Sequence, residues 1–172
     1  MSVEGKAFLL RPDTPKEGKP REPRPGDSPD RLSEPLGAEA ERSGLVMRPP
    51  AVTPNTMYAL QATEYAKRKG VFLPFHRGLY KAYWEDGHDL GDPEVVRDVA
   101  EEYGLSWPEM AEELRSGVYE ETVTGQFREA MELGVRGIPA FLMGRYLFTG
   151  ARPYEAFQAV MDKVLEERAN GR

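Results

Sequence analysis

Cysteine is absent from the 172 residues. That excludes structural disulfides, thiolate metal sites and a cysteine nucleophile within this chain. Histidine occurs only at positions 76 and 88, and neither has the partner spacing of a metal site. Asparagine is limited to Asn55 and Asn170, and glutamine to Gln61, Gln126 and Gln158, while glutamate and arginine abound. This is the compositional direction of heat-adapted proteins. No apolar run approaches a membrane span. The opening "MSVEGKAFLLRPDTPKEG" lacks the apolar core of a signal peptide. A soluble, cytoplasmic protein without a membrane partner is expected. The net charge is −6, and the basic residues are interleaved with acids, so no nucleic-acid partner is expected.

The length suits one domain with an inserted lobe. "GKAFLLRP" (Gly5–Pro12) reads as a strand ended by proline. From Pro12 to Pro29 the chain is crowded with proline, glycine and alternating charge. That composition predicts an extended or partly disordered excursion. Ser28 followed by Pro29 predicts a helix start, with Pro35 and Gly37 keeping that helix short or kinked.

Further helices are predicted from Thr53 or Asn55 to Gly70, through "LPFHRGLYKAYW", from Asp92 to Gly104, from Ser106, and up to Gly134. "AFLM" and "YLFT" flank Gly144–Arg145. Glycine at the first central position of such a loop predicts a type II′ hairpin. A last helix follows Pro153, with Tyr154, Phe157, Val160, Met161, Val164 and Leu165 as its apolar stripe. Strand, many helices, hairpin, helix is the order of a sheet interrupted by a helical insertion.

Gly137–Ile138–Pro139 carries the most information. Proline is tolerated at the first position of a strand, and an X–Pro bond has a small cis penalty. A cis bond at Ile138–Pro139 would turn the Ile138 N–H and C=O outward, ready to pair with an extended peptide. Gly134 and Gly137 would give the approach its conformational freedom. Arg136 is either a solvated cation or the partner of a ligand carboxylate.

"GVRGIPAFLMGRYLFTGARPYEAF" resembles the C-terminal half of a thioredoxin-like domain of the DsbA superfamily. There a Gly-Val-x-Gly-(Val/Ile)-Pro segment supplies a cis-proline loop, followed by a hairpin and a last helix. "FLLRPDTPKEG", "PNTMYALQATEYAKRKG" and "LYKAYWEDGHDLGDPEVVRDVAEEYGL" are similar to the FrnE-like branch and its helical insertion. The resemblance runs from Phe8 onward. Related isomerases acting on 2-hydroxychromene-2-carboxylate, and kappa-class glutathione transferases, share the helical parts.

The resemblance implies an α/β fold. Residues 1–27 and 134–172 would form a thioredoxin-like part, and 28–133 an all-helical insertion. It also implies a thiol–disulfide oxidoreductase relative whose substrate-side loop is Arg136, Gly137, Ile138 and Pro139. Its partner would be an extended peptide or protein thiol, or glutathione; no other cofactor is implied. The family's opening strand and Cys-x-x-Cys helix, roughly thirty residues, have no counterpart, so the thioredoxin-like part is incomplete at its N-terminus. No residue takes a catalytic role, and the chain is expected to be inactive alone or a truncated product. The family's Ala-His after the asparagine is Ala59–Leu60 here. A missing central strand leaves backbone groups unpaired, at about 1–3 kcal/mol for each buried one. Strand rearrangement, a second copy or an upstream segment would fill the gap, and a two-fold homodimer is the simplest for an intact chain. Two alternatives stand beside this: a relative of the 2-hydroxychromene-2-carboxylate isomerases or kappa-class glutathione transferases, whose activity would need a replacement nucleophile, and a non-catalytic dimerisation or peptide-binding module.

Other chemistry has weaker signals. Asp86, His88, Asp89 and Asp92 lack the pattern of a calcium loop. Glu101–Glu102, Glu112–Glu113 and Glu120–Glu121 are adjacent on helices, where side chains diverge. Tyr80, Tyr83, Trp84 and Trp107 are candidates for a groove or for core. No metal site is expected.

Overall fold

The computed structural model describes residues 3–171. In chain order the elements are β1 (Lys19–Pro20), α1 (Leu36–Arg42), β2 (Val52–Thr53), α2 (Met57–Arg68), α3 (Phe72–Trp84), α4 (Pro93–Glu102), α5 (Trp107–Arg115), α6 (Val118–Glu132), β3 (Ala140–Met143), β4 (Tyr146–Thr149) and α7 (Tyr154–Ala169). They divide into two compact units, Met1–Gln126 and Phe127–Arg172.

Local chemistry sets the helix limits of the first unit. The Asn55 side-chain oxygen accepts the Met57 N–H at 3.0 Å, and Asp92 accepts that of Glu94 at 2.8 Å. Each satisfies a donor that the first helical turn leaves without a partner. Gly70 and Gly104 follow α2 and α4 with φ of 77° and 73°, the left-handed conformation that stops a helix. α2 packs against α3, α4 and α5 around Tyr65, Phe75, Val96 and Met110, all fully buried. Gly78 permits the α3–α4 approach: a Cβ there would lie 2.4 Å from the Tyr103 ring and 2.9 Å from a Val99 methyl. The buried face of α2 is Ala59, Gln61, Ala62, Thr63, Tyr65 and Ala66, while Met57 and Leu60 stand only partly buried.

Three sequence expectations fail in this unit. Gly5–Pro12 forms no strand. Its backbone meets a side chain rather than a ladder: the Ala7 N–H donates to the Gln126 amide oxygen at 2.5 Å, and Gly5 packs against the Phe72 ring. Apolar β-formers make a strand only where another strand takes their hydrogen bonds. Ser28 does not start a helix; α1 begins eight residues later. The Asp27 carboxylate gathers the Arg24 and Ser33 N–H groups and the Arg21 guanidinium, which winds 21–33 into a loop. The excursion from Pro12 is not extended but a succession of turns, closed by Thr14 N–H to Arg11 O, Gly18 N–H to Pro15 O and Asp27 N–H to Arg24 O, and it is pinned along its length. Arg21 N–H donates to Ala51 at 2.9 Å, the Asn55 amide donates to the Thr14 carbonyl at 2.7 Å, and β1 pairs antiparallel with β2.

In the second unit, β3 and β4 form an antiparallel hairpin, pairing Ala140 with Thr149 and Met143 with Tyr146. Gly144 has φ of 61°, while Arg145 has a negative φ. Positive φ at the first central residue alone is the type II′ turn that the sequence predicts. Phe141, Phe148 and Phe157 join the hairpin to α7, with ring centroids 4.8–5.4 Å apart. The Arg145 guanidinium and the Tyr146 hydroxyl both donate to Glu167 at 2.6 Å. The predicted stripe of α7 is only partly covered. Val164 is buried, but Tyr154 is 76% and Leu165 54% exposed. A two-stranded hairpin is too narrow to cover a sixteen-residue helix face.

Candidate functional site

The approach to Pro139 starts from the end of α6. Gly134, with φ of 85°, donates its N–H to Met131 O at 3.1 Å, and Val135 donates to Ala130 O at 2.9 Å. These paired bonds are a Schellman closure. The next backbone segment leaves the helix at a fixed angle, with Val135 buried.

Arg136 continues this closure. Its Nη1 donates to Met131 O at 3.0 Å and Val135 O at 3.3 Å, and lies 3.6 Å from the Met131 sulfur. A cation on the last carbonyls of a helix is favourable both as a donor and through the helix dipole. Neither sequence reading of Arg136 included this role.

Gly137 has nothing within 4 Å of the place a Cβ would occupy. Ile138 is 49% exposed, and the Ile138–Pro139 peptide is cis. Among the described residues, neither the Ile138 N–H nor its carbonyl has a hydrogen-bond partner. The Pro139 carbonyl accepts the Gly150 N–H at 2.8 Å. With the observed register, that bond makes Ala140–Thr149 a non-hydrogen-bonded pair. Phe141 and Met143 therefore turn their backbone groups to β4, and Ala140 and Leu142 turn theirs away. Among the described residues no strand lies on that outer edge of β3. Alternation in the sequence could have revealed the edge only with the register known.

The other candidates do not converge. His76 lies along α3 between Phe72 and Tyr80, with ring centroids at 5.3 and 4.8 Å. Its Nδ1 is buried without a partner, and desolvation lowers its pKa. The His88 N–H caps Ala82 O at 2.8 Å. Asp86 pairs with Lys81, Asp89 accepts the Gly91 N–H, and Asp92 caps α4. Among the described residues no group of three or more acids and histidines is placed to hold a metal ion. Trp107 packs edge-on to Tyr58, whereas Trp84 packs on Tyr83 and Tyr80 on His76, so the aromatic candidates do not line one groove.

A model of the DSBA-like thioredoxin domain matches residues 1–162. The chain belongs to the DSBA-like thioredoxin domain family. As a member of this family it is a thioredoxin-like α/β domain carrying a helical insertion. The DSBA-like chain is 28% identical to a structure described as a probable DsbA oxidoreductase from Streptomyces coelicolor, with a TM-score of 0.70. That similarity covers 77% of this chain and 58% of the other, so the DSBA-like chain spans under three-fifths of that relative's length. A 2-hydroxychromene-2-carboxylate isomerase shares the fold at 19% identity and a TM-score of 0.63, over 80% of this chain and 67% of the isomerase. An uncharacterised Bacillus subtilis (strain 168) protein, YwbO, is 24% identical over 88% of this chain and 83% of its own. Among the described residues, no helix of this DSBA-like domain is long and apolar enough to cross a membrane.

Proposed function

We propose that this chain binds an extended polypeptide along Gly137–Pro139 and does not itself exchange thiols. The single observation that carries the reading is the state of Ile138. It is exposed, its two backbone polar groups are unpaired among the described residues, and the next carbonyl is held by Gly150. A fixed backbone offering one donor and one acceptor is the requirement for adding an extended segment. Thiol–disulfide exchange needs a thiolate, and these 172 residues hold no cysteine, so any such chemistry would use a thiol outside them. The family relation supports an oxidoreductase or isomerase relative as the origin of the loop.

Glutathione is the alternative ligand. Its carboxylates would need a cation, and the candidate Arg136 has Nη1 turned to the carbonyls that end α6. Ile138 and Leu142 put exposed apolar side chains nearby in sequence, and the other cation there, Arg145, is paired with Glu167. That balance favours the polypeptide.

Fluorescence anisotropy with a labelled, carboxymethylated and permanently unfolded polypeptide tests the reading. The expected result is saturable binding, weakened about tenfold, or 1.4 kcal/mol, by Ile138→Asp, with no insulin reduction by the chain. Absence of binding overturns the ligand assignment. Insulin reduction by the purified chain overturns the non-catalytic assignment.

A further inference from the structure

We propose that Met131 is a peroxide-oxidation site whose sulfoxide tightens the turn leading to Pro139. Met131 lies in the last turn of α6 and is 36% exposed. Among the described residues the other methionines are better covered. Met110 is fully buried, and Met47, Met57, Met143 and Met161 are half-buried. The Met131 sulfur also has a cationic neighbour, the Arg136 Nη1 at 3.6 Å.

A thioether reacts with a hydroperoxide without any cofactor. A sulfur lone pair attacks one peroxide oxygen, so an S–O bond forms as the O–O bond breaks. The sulfur is oxidised by that electron pair and the peroxide is reduced by it. The transferred oxygen gives its proton to the leaving hydroxide, which departs as water. Negative charge develops on the leaving oxygen, and the Arg136 guanidinium is a donor standing where that charge appears. A thioether is a weak acceptor, so the long contact with Nη1 leaves the sulfur free to attack.

The product changes the turn. Oxidation makes an apolar side chain polar, with an oxygen one bond from a sulfur that already touches Arg136. Nη1 meets Met131 O and Val135 O. Nε and Nη2 complete the planar fork of donors, from which the sulfoxide takes a charge-assisted bond. The Met131 side chain then ties the helix end to the following backbone together with the two carbonyls. The Schellman closure, in which Gly134 and Val135 donate to Met131 O and Ala130 O, should open less often. Methionine sulfoxide reductases reverse the change. This goes beyond the polypeptide-binding reading and needs no ligand.

Limiting hydrogen peroxide on the folded chain, followed by peptide mapping with mass spectrometry, tests the site. Met131 should convert ahead of Met47, Met57, Met143 and Met161. Arg136→Gln keeps a donor for the carbonyls but loses the charge, and should slow conversion of Met131 at least about threefold, a small factor for such a donor because the site is wet. Loosening of the helix end would expose the sulfur and speed the reaction, so a fall in rate is not a folding effect. Amide exchange at Gly134 and Val135, read by NMR, should slow at least about twofold in the oxidised chain and return after reductase treatment. Peroxide should leave that exchange unchanged in Met131→Leu, which conserves volume. Conversion of Met131 no faster than that of the half-buried methionines, or at an unchanged rate in Arg136→Gln, overturns the oxidation site. Exchange that is unchanged or faster in the oxidised chain, or that slows in Met131→Leu as well, overturns the tightening.

Discussion

The Gly150 N–H donates to the Pro139 carbonyl across 2.8 Å. This bond sets which residues of β3 face β4 and which face outward. Gly150 has φ of 83°, with open space around its Cα. Gly150→Ala meets no neighbour but forces an alanine into left-handed backbone, at about 1–2 kcal/mol. Thermal denaturation should show that loss. Amide exchange at position 150 should quicken more than at Phe148.

Arg136 is expected to act on stability more than on ligand binding. Arg136→Ala removes the guanidinium from the end of α6 and should cost about 0.5–1 kcal/mol. The loss should shrink in high salt. In the anisotropy assay, polypeptide affinity should change by less than twofold. A large loss of affinity without a loss of stability would return Arg136 to a ligand-binding role.

Asp27 predicts a local acid sensitivity. The backbone N–H groups of Arg24 and Ser33, with the Arg21 side chain, hold its pKa far below the ordinary 3.8. Protons then bind the unfolded loop before the folded one. The stabilisation is complete above that ordinary value and declines as pH falls toward the depressed one. Amide exchange at Ser33 should be slow at pH 7 in the wild type and fast in Asp27→Asn. The difference should narrow below pH about 4, where unfolded aspartates take up protons.

His76 predicts a second slope, nearer neutrality. Burial lowers its pKa from 6.5, so the folded state favours the neutral ring. The unfolded state takes up the proton first, and stability falls as pH drops below about 6.5. Phe72 and Tyr80 offer the ring aromatic contacts that phenylalanine can keep. Urea denaturation of His76→Phe between pH 7 and 5 should show a shallower loss than the wild type.

The helices were legible because their punctuation is local. Asn55, Asp92, Gly70 and Gly104 act within a few residues of themselves, and the hairpin turn needs only Gly144. The failures are non-local. Nothing near Gly5–Pro12 states that the Ala7 N–H will meet Gln126 rather than a strand. Ser28–Pro29 has the grammar of a helix start, but Asp27 draws the following residues into a loop. The Gly-Ile-Pro segment stood out by residue type, whereas the outward alternation of Ala140 and Leu142 required the register. The closure by Arg136 needed the path of the chain beyond α6, which glycine spacing alone does not specify.

Amide hydrogen exchange at Ile138, followed by NMR with and without the carboxymethylated polypeptide, tests the central claim most directly. The account predicts fast exchange in the free protein and marked slowing at saturation, with Phe141 and Met143 unchanged. Slow exchange at Ile138 before any ligand is added, or no change at saturation, would contradict it.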